Sequence, residues 1–246
     1  MPSSEDAALS VDSLVTGYGS RRVLDGVDLA VARGTICGVI GPNGSGKSTL
    51  LRTLFGVLPA WAGRVSYSGY PGPIEARALI RHGVVFAPQG NRVFSGLSVL
   101  ENLQLAAAQL GRARRRECVE RALEWNPGLR LKLRQRAGTL SGGEKQDLAL
   151  ACAVSVEPHT LLLDEPSLGL SPRLASESMG RLSALAKGSG VTCLVVEQRV
   201  REVLRVADRV CVLREGKVIF FGPPESLNED AVLREAYLGL DATAQT

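Results

Sequence analysis

The stretch Gly41-Pro42-Asn43-Gly44-Ser45-Gly46-Lys47-Ser48-Thr49 concentrates groups that bind phosphate. Its spacing is that of a P-loop: Gly, four residues, Gly-Lys, then Ser or Thr. Glycines let the backbone coil until successive N–H groups point inward at a phosphate chain, and Lys47 adds a charge for the β- and γ-phosphates. The Ser48 hydroxyl suits Mg²⁺. Thr49 is expected to open a helix whose N-terminal dipole favours the same anion. A plain Gly/Ser turn is the competing reading, but a chance match arises on the order of once per hundred chains of this length. The flanks fit the motif, with a buried strand at Thr35–Ile40 and an apolar helix start at Leu50–Phe55.

Two further stretches carry chemistry. Thr160–Leu163 reads as a buried strand that runs into Asp164-Glu165-Pro166. Neighbouring residues at a strand end point in different directions. Asp164 can therefore hold Mg²⁺, directly or through water, while Glu165 faces the γ-phosphate and orients or deprotonates a water. A helix N-cap is the alternative for this acidic pair. In Leu140-Ser141-Gly142-Gly143-Glu144, Ser141 and Glu144 make a capping box for a helix running to about Val156. A capping box does not need two glycines. Gly142 and Gly143 let a ligand approach the backbone at what is then a second phosphate-binding helix end. Tyr18, in a Gly-Tyr-Gly turn, is either a turn aromatic or a ring on which adenine stacks.

The elements that must position these groups follow from the pattern. Leu9–Val15 and Val27–Val31 read as strands, then Arg64–Tyr67, a helix at Glu75–Arg81, and a strand at Val84–Ala87 ending in Pro88-Gln89. Helical periodicity takes over at Ser98–Leu110 and Arg114–Trp125, which marks an inserted helical subdomain. Strand patterning returns at Thr160–Leu163 and at Val191–Val196, which ends in Glu197-Gln198. Val210–Leu213 and Lys217–Phe220 flank a Glu215-Gly216 hairpin turn, and a last helix is expected over Ala231–Leu238.

Length and composition bound the function classes. The chain has 246 residues, 45% hydrophobic and 22% charged, enough to bury a sizeable core. No apolar run approaches the ~18 residues of a membrane span, and the polar, acidic Met1–Ala8 does not read as a signal peptide. The five cysteines have no paired spacing and read as reduced core residues; the two histidines form no ligand pattern. Arginines cluster at Arg112, Arg114, Arg115 and Arg116 and basic residues recur at Arg130, Lys132, Arg134 and Arg136. They read as a solvated helical face, with lipid headgroups or a partner subunit as the alternative. With 4% aromatic residues, not interleaved with the basic ones, nucleic acid is not an expected partner.

The P-loop, Pro88-Gln89, Leu140–Glu144, Thr160–Glu165, Ser167-Leu168-Gly169-Leu170 and Glu197-Gln198 occur in the order and spacing of an ATP-binding cassette (ABC) ATPase, which the chain resembles from about Leu9 to Leu240. The resemblance implies an α/β P-loop NTPase fold with a mainly parallel sheet core, an antiparallel N-terminal β part and an inserted helical subdomain. Its divisions are a nucleotide-binding core of about 9–88 and 158–225, a helical subdomain of about 89–157 and a C-terminal helix over 226–246. It implies ATP and Mg²⁺ as ligands, with Tyr18 on adenine, Lys47, Ser48 and Thr49 on phosphates and metal, and Gln89 sensing Mg²⁺ and the membrane partner. Glu165 is then the catalytic carboxylate, with Gln198 at the γ-phosphate. Ser141, Gly142 and Gly143 would hold the γ-phosphate of ATP on an opposite subunit, in a head-to-tail homo- or heterodimer. Ser167–Leu170 would link the two sites.

Three positions depart from the family pattern: Gln198 where histidine is common, Asp147 and Cys152 where arginines are frequent, and Lys145 in place of glutamine. None removes a group at the reacting phosphate. The segments Gln89–Phe94, Arg136–Leu140, Val196–Gln198 and Glu235–Leu240 resemble the second ATPase of branched-chain amino acid importers; urea and short-amide importers share nearly the same pattern. That implies separate permease subunits, an extracytoplasmic solute-binding protein and a place on the cytoplasmic face of the membrane. Competing classes are an exporter cassette, a soluble cassette of DNA repair or translation, and a P-loop kinase. The soluble cassettes carry coiled-coil insertions or a second cassette, and the kinase has no use for Leu-Ser-Gly-Gly-Glu.

Overall fold

Alternating apolar residues build the first sheet. β1 (Ala7–Tyr18) and β2 (Arg21–Ala32) form an antiparallel hairpin that closes on the pair Tyr18–Arg21, and β4 (Ala62–Tyr67) pairs on the other side of β1. The first two strands run beyond their apolar stretches because backbone pairing carries on through polar residues. The structure, a computed structural model, describes residues 7–90, 92–108 and 110–227. The expected helix over Ala231–Leu238, the Glu235–Leu240 ending and Asn91 lie outside these residues.

Continuous apolar runs build the second sheet. β3 (Ile36–Ile40), β6 (Thr160–Asp164) and β7 (Thr192–Val196) are buried at every position, as strands covered on both faces require. With β5 (Val84–Ala87), β8 (Arg209–Arg214) and β9 (Lys217–Gly222) they form a six-stranded sheet in the order β5-β6-β7-β3-β8-β9. All neighbours run parallel except β8 and β9, which are joined by a tight hairpin. Glu215 and Gly216 both have positive φ, 48° and 79°, as a type I′ turn needs.

The α-helices of the described residues are α1 (Lys47–Leu54), α2 (Ala76–Arg81), α3 (Val99–Ala106), α4 (Arg112–Trp125), α5 (Gly142–Ser155), α6 (Pro172–Ser189) and α7 (Val200–Leu204). α1 starts at Lys47 rather than Thr49, so the P-loop lysine and serine already belong to its first turn. α3 stops at Ala106, short of the expected Leu110, and α4 begins at Arg112, two residues early. Three apolar clusters hold the layers together. One lies between the two sheets with α1, containing Leu14, Leu24, Leu50 and Leu54. A second packs α5 and α6 on the other face of the large sheet through Leu150, Met179 and Leu182. A third, with Leu103, Leu123, Leu129 and Leu148, is built from α3, α4, α5 and the turn between α4 and α5. No helix among the described residues is long and apolar enough to cross a membrane.

Candidate functional site

Four loops converge at the C-terminal ends of the parallel strands, where open α/β sheets bind ligands. Gly41–Gly46 follows β3, Gln89 follows β5, Glu165 follows β6 and Gln198 follows β7. The loop geometry rests on glycine. At Gly41 a Cβ would lie 2.0 Å from the Leu213 carbonyl oxygen, and at Gly46 the backbone takes φ 106° against Leu24. Lys47 is only 6% exposed, and its ammonium donates to the carbonyls of Gly41 at 2.7 Å and Pro42 at 2.9 Å. Burial lowers its pKa, and the charges of Glu165 and Asp164 oppose that shift. Ser45 Oγ is buried without a hydrogen-bond partner, a polar group that a phosphoryl oxygen would satisfy.

Asp164 and Glu165 diverge as the strand end predicts. Asp164 accepts a hydrogen bond from the Ser48 hydroxyl at 3.2 Å. Burial raises its pKa; the Ser48 bond, Arg52 and Lys47 pull it back, while Glu165 pushes it further up. Glu165 is 6% exposed and has a positive φ of 52°, unusual for a residue with a side chain. Its carboxylate is clamped between two amides. Gln89 Nε2 donates to Oε2 and Gln198 Nε2 to Oε1, each at 2.6 Å. Both donors are neutral amides, which orient the carboxylate through one hydrogen bond to each oxygen. Tyr18 stands at the end of β1, 45% exposed; its hydroxyl accepts from Arg52 at 3.1 Å and faces Thr49 Oγ1 at 3.5 Å.

Ser141–Glu144 lies outside this hydrogen-bonded cluster. Ser141 Oγ accepts from the Glu144 amide, the Glu144 carboxylate accepts from the Ser141 amide, and Lys132 pairs with Glu144. A Cβ on Gly142 would meet nothing within 4 Å, whereas one on Gly143 would touch Leu170 at 3.3 Å.

A family model described as ABC transporter matches residues 24–168. A branched-chain amino acid transport ATP-binding protein of Pseudomonas aeruginosa is 38% identical, over 94% of this chain and 99% of its own. One of Archaeoglobus fulgidus, a probable protein of the same kind, is 36% identical over 92% and 97%. Among solved structures, an ATP-binding cassette of an ABC transporter in its ADP conformation superposes with a TM-score of 0.82 and 30% identity over 95% of this chain. This chain belongs to the ABC transporter ATPase family.

Several residues support the cassette's site through contacts that the sequence does not show. Glu197, Arg199 and Gln146 each bond the 165–170 segment from a different element: Ser167 N–H to Glu197 Oε1 at 2.7 Å, Arg199 Nη2 to Leu170 O at 2.8 Å, Gln146 Nε2 to Pro166 O at 2.7 Å. Only the loop's path brings them together, so spacing could not have found them. The tertiary structure also supplies the partner for one departure from the family pattern. Asp147 on α5 pairs with Arg181 of α6 at 3.1 Å, and the guanidinium lies 5.7 Å from the Trp125 ring centre. Burial raises the Asp147 pKa, and Arg181 opposes this. Cys152 is a half-buried thiol whose pKa desolvation pushes up to about 12. Arg114, Arg115 and Arg116 on α4 are exposed, in keeping with a solvated face.

Proposed function

We propose that this cassette hydrolyses ATP to drive uptake of branched-chain or related amino acids through permease subunits carried on other chains. The observation that carries the chemistry is Glu165 clamped by Gln89 and Gln198 beside the P-loop. A carboxylate so oriented positions a water for attack on the γ-phosphate and takes up its proton. Lys47 and the P-loop amides hold the β- and γ-phosphates, with Tyr18 at the adenine. Ser48 and Asp164, already in contact, offer the few hard oxygen donors that Mg²⁺ takes when phosphates fill its other positions. A Mg²⁺ held by these residues would supply positive charge against the phosphate chain.

The separation of Ser141–Glu144 from the P-loop cluster supports a head-to-tail pair, in which Ser141, Gly142 and Gly143 of one subunit meet ATP held by the other. The open space at Gly142 leaves room for that approach. The pair, a homo- or heterodimer, works on the cytoplasmic face of the membrane, with a solute-binding protein on the far side. The amino acid assignment is supported by the Pseudomonas and Archaeoglobus relatives. Uptake of urea or short amides is the alternative, because no part of a cassette touches the solute. Glu165→Gln should lower hydrolysis by about 10²-fold or more while ATP still binds. In a strain lacking this chain, uptake of labelled leucine should fall and that of labelled urea should not; the reverse result moves the assignment to urea.

A further inference from the structure

Glu197 is an acid that the proposed chemistry does not use. It directly follows β7, is 2% exposed, and takes part in none of the ion pairs among the described residues. Placing a carboxylate there costs free energy unless hydrogen bonds compensate. Burial raises its pKa, and hydrogen bonds from Ser167 and from the amides of Arg199 and Gln198 oppose the rise.

Those bonds belong to a series. The Glu165 amide donates to Val196 O at 2.9 Å, the Ser167 amide to Glu197 Oε1 at 2.7 Å, and Arg199 to Leu170 O at 2.8 Å. Gln198, between two of these anchors, returns its amide to the Glu165 carboxylate at 2.6 Å. The end of β7 thus grips the 165–170 segment on both sides of the clamp. Glu165 needs such support, since its left-handed backbone, φ 52°, persists only where surroundings over-determine it.

We propose that Glu197 is a positioning residue, which ties Ser167 to the end of β7 so that the Glu165 carboxylate and the Gln198 amide stay in register. It acts through the Ser167 amide and does not touch nucleotide. The inference rests on Glu165 being the catalytic carboxylate.

Steady-state ATP hydrolysis by the full chain tests it, at concentrations where turnover per chain has stopped rising. Glu197→Ala removes the acceptor and should lower kcat about tenfold or more, with KM for ATP changed by less than about twofold. Glu197→Gln keeps a carbonyl oxygen for the Ser167 amide and should hold kcat within about threefold of the parent. Hydrogen exchange of the peptide spanning 165–171 should quicken in Glu197→Ala and stay near parental in Glu197→Gln, while P-loop peptides exchange alike in all three. A Glu197→Gln enzyme as inactive as Glu165→Gln would overturn the proposal, because the charge itself would then be required. So would parental kcat in Glu197→Ala, or a loss carried by KM. If Glu197→Ala does not fold, the Glu197→Gln turnover and exchange data decide alone. Should Glu165→Gln retain full hydrolysis, the catalytic reading fails first; should it be inactive while Glu197→Ala is unchanged, only the positioning role fails.

Discussion

Gln198 contrasts with the histidine common at this position, and the difference has a measurable consequence. Its amide donates to Glu165 but cannot become cationic. The two histidines of the chain stand elsewhere: His82 ends α2, and His159 precedes β6, at the opposite end of that strand from Asp164. The pH profile of ATP hydrolysis should therefore show no imidazole step near about 6.5. A step there that vanished in Gln198→Ala would contradict this. The same geometry makes Lys47 unforgiving. Its ammonium is the loop's buried cation, and Lys47→Ala should abolish detectable ATP binding by equilibrium titration while leaving the apolar face of α1 packed.

The helix α5 joins two kinds of stabilisation. At its start, Lys132 and the Ser141 amide bond the ionised Glu144 and hold its carboxyl at about 2, against an ordinary 4.5. The folded chain thus binds this proton less readily than the unfolded one. Its contribution is complete above the ordinary value and is lost as pH falls through about 2. The Tm difference between the parent and Glu144→Gln should accordingly be largest near neutrality and vanish on acidification. Midway along the helix, Asp147 and Arg181 are partly buried partners, so Asp147→Ala leaves the guanidinium without its carboxylate and with only a long bond to the Trp125 carbonyl. That should cost about 1–2 kcal/mol by denaturant unfolding. Adding Arg181→Met should recover part of it, since the stranded charge is then gone.

For the whole molecule, the essential feature is that the P-loop cluster and Ser141–Glu144 are separate within one chain. If the two are joined only between chains, turnover per chain must rise with protein concentration and then level off. Brisk turnover by a proven monomer, independent of concentration, would count against the head-to-tail pair. If ATP is held by several loops at once, as proposed, it should raise the stability of the whole fold. At about 100 times its Kd the gain is about 2.7 kcal/mol.

Much of this architecture was legible beforehand because it depends on local rules. The P-loop spacing, the burial of Thr160–Leu163 and the Ser141–Glu144 capping box follow from backbone geometry and side-chain type, and the structure places each as read. Element limits were less legible: α1 begins at Lys47 because its first turn is made of the loop residues themselves, which no apolar periodicity marks. The three sheet-end groups Gln89, Glu165 and Gln198 were each visible as residues that follow a strand. Their meeting at a single carboxylate was not, since it depends on β5, β6 and β7 lying side by side, an order set by long-range packing. The same holds for Glu197 with Ser167 and for Asp147 with Arg181. Residue type and spacing fix which glycine-rich and acidic groups the protein owns and where along the chain they lie. Tertiary structure alone decided which of them touch, because a hydrogen bond depends on ångströms in space and not on separation along the backbone.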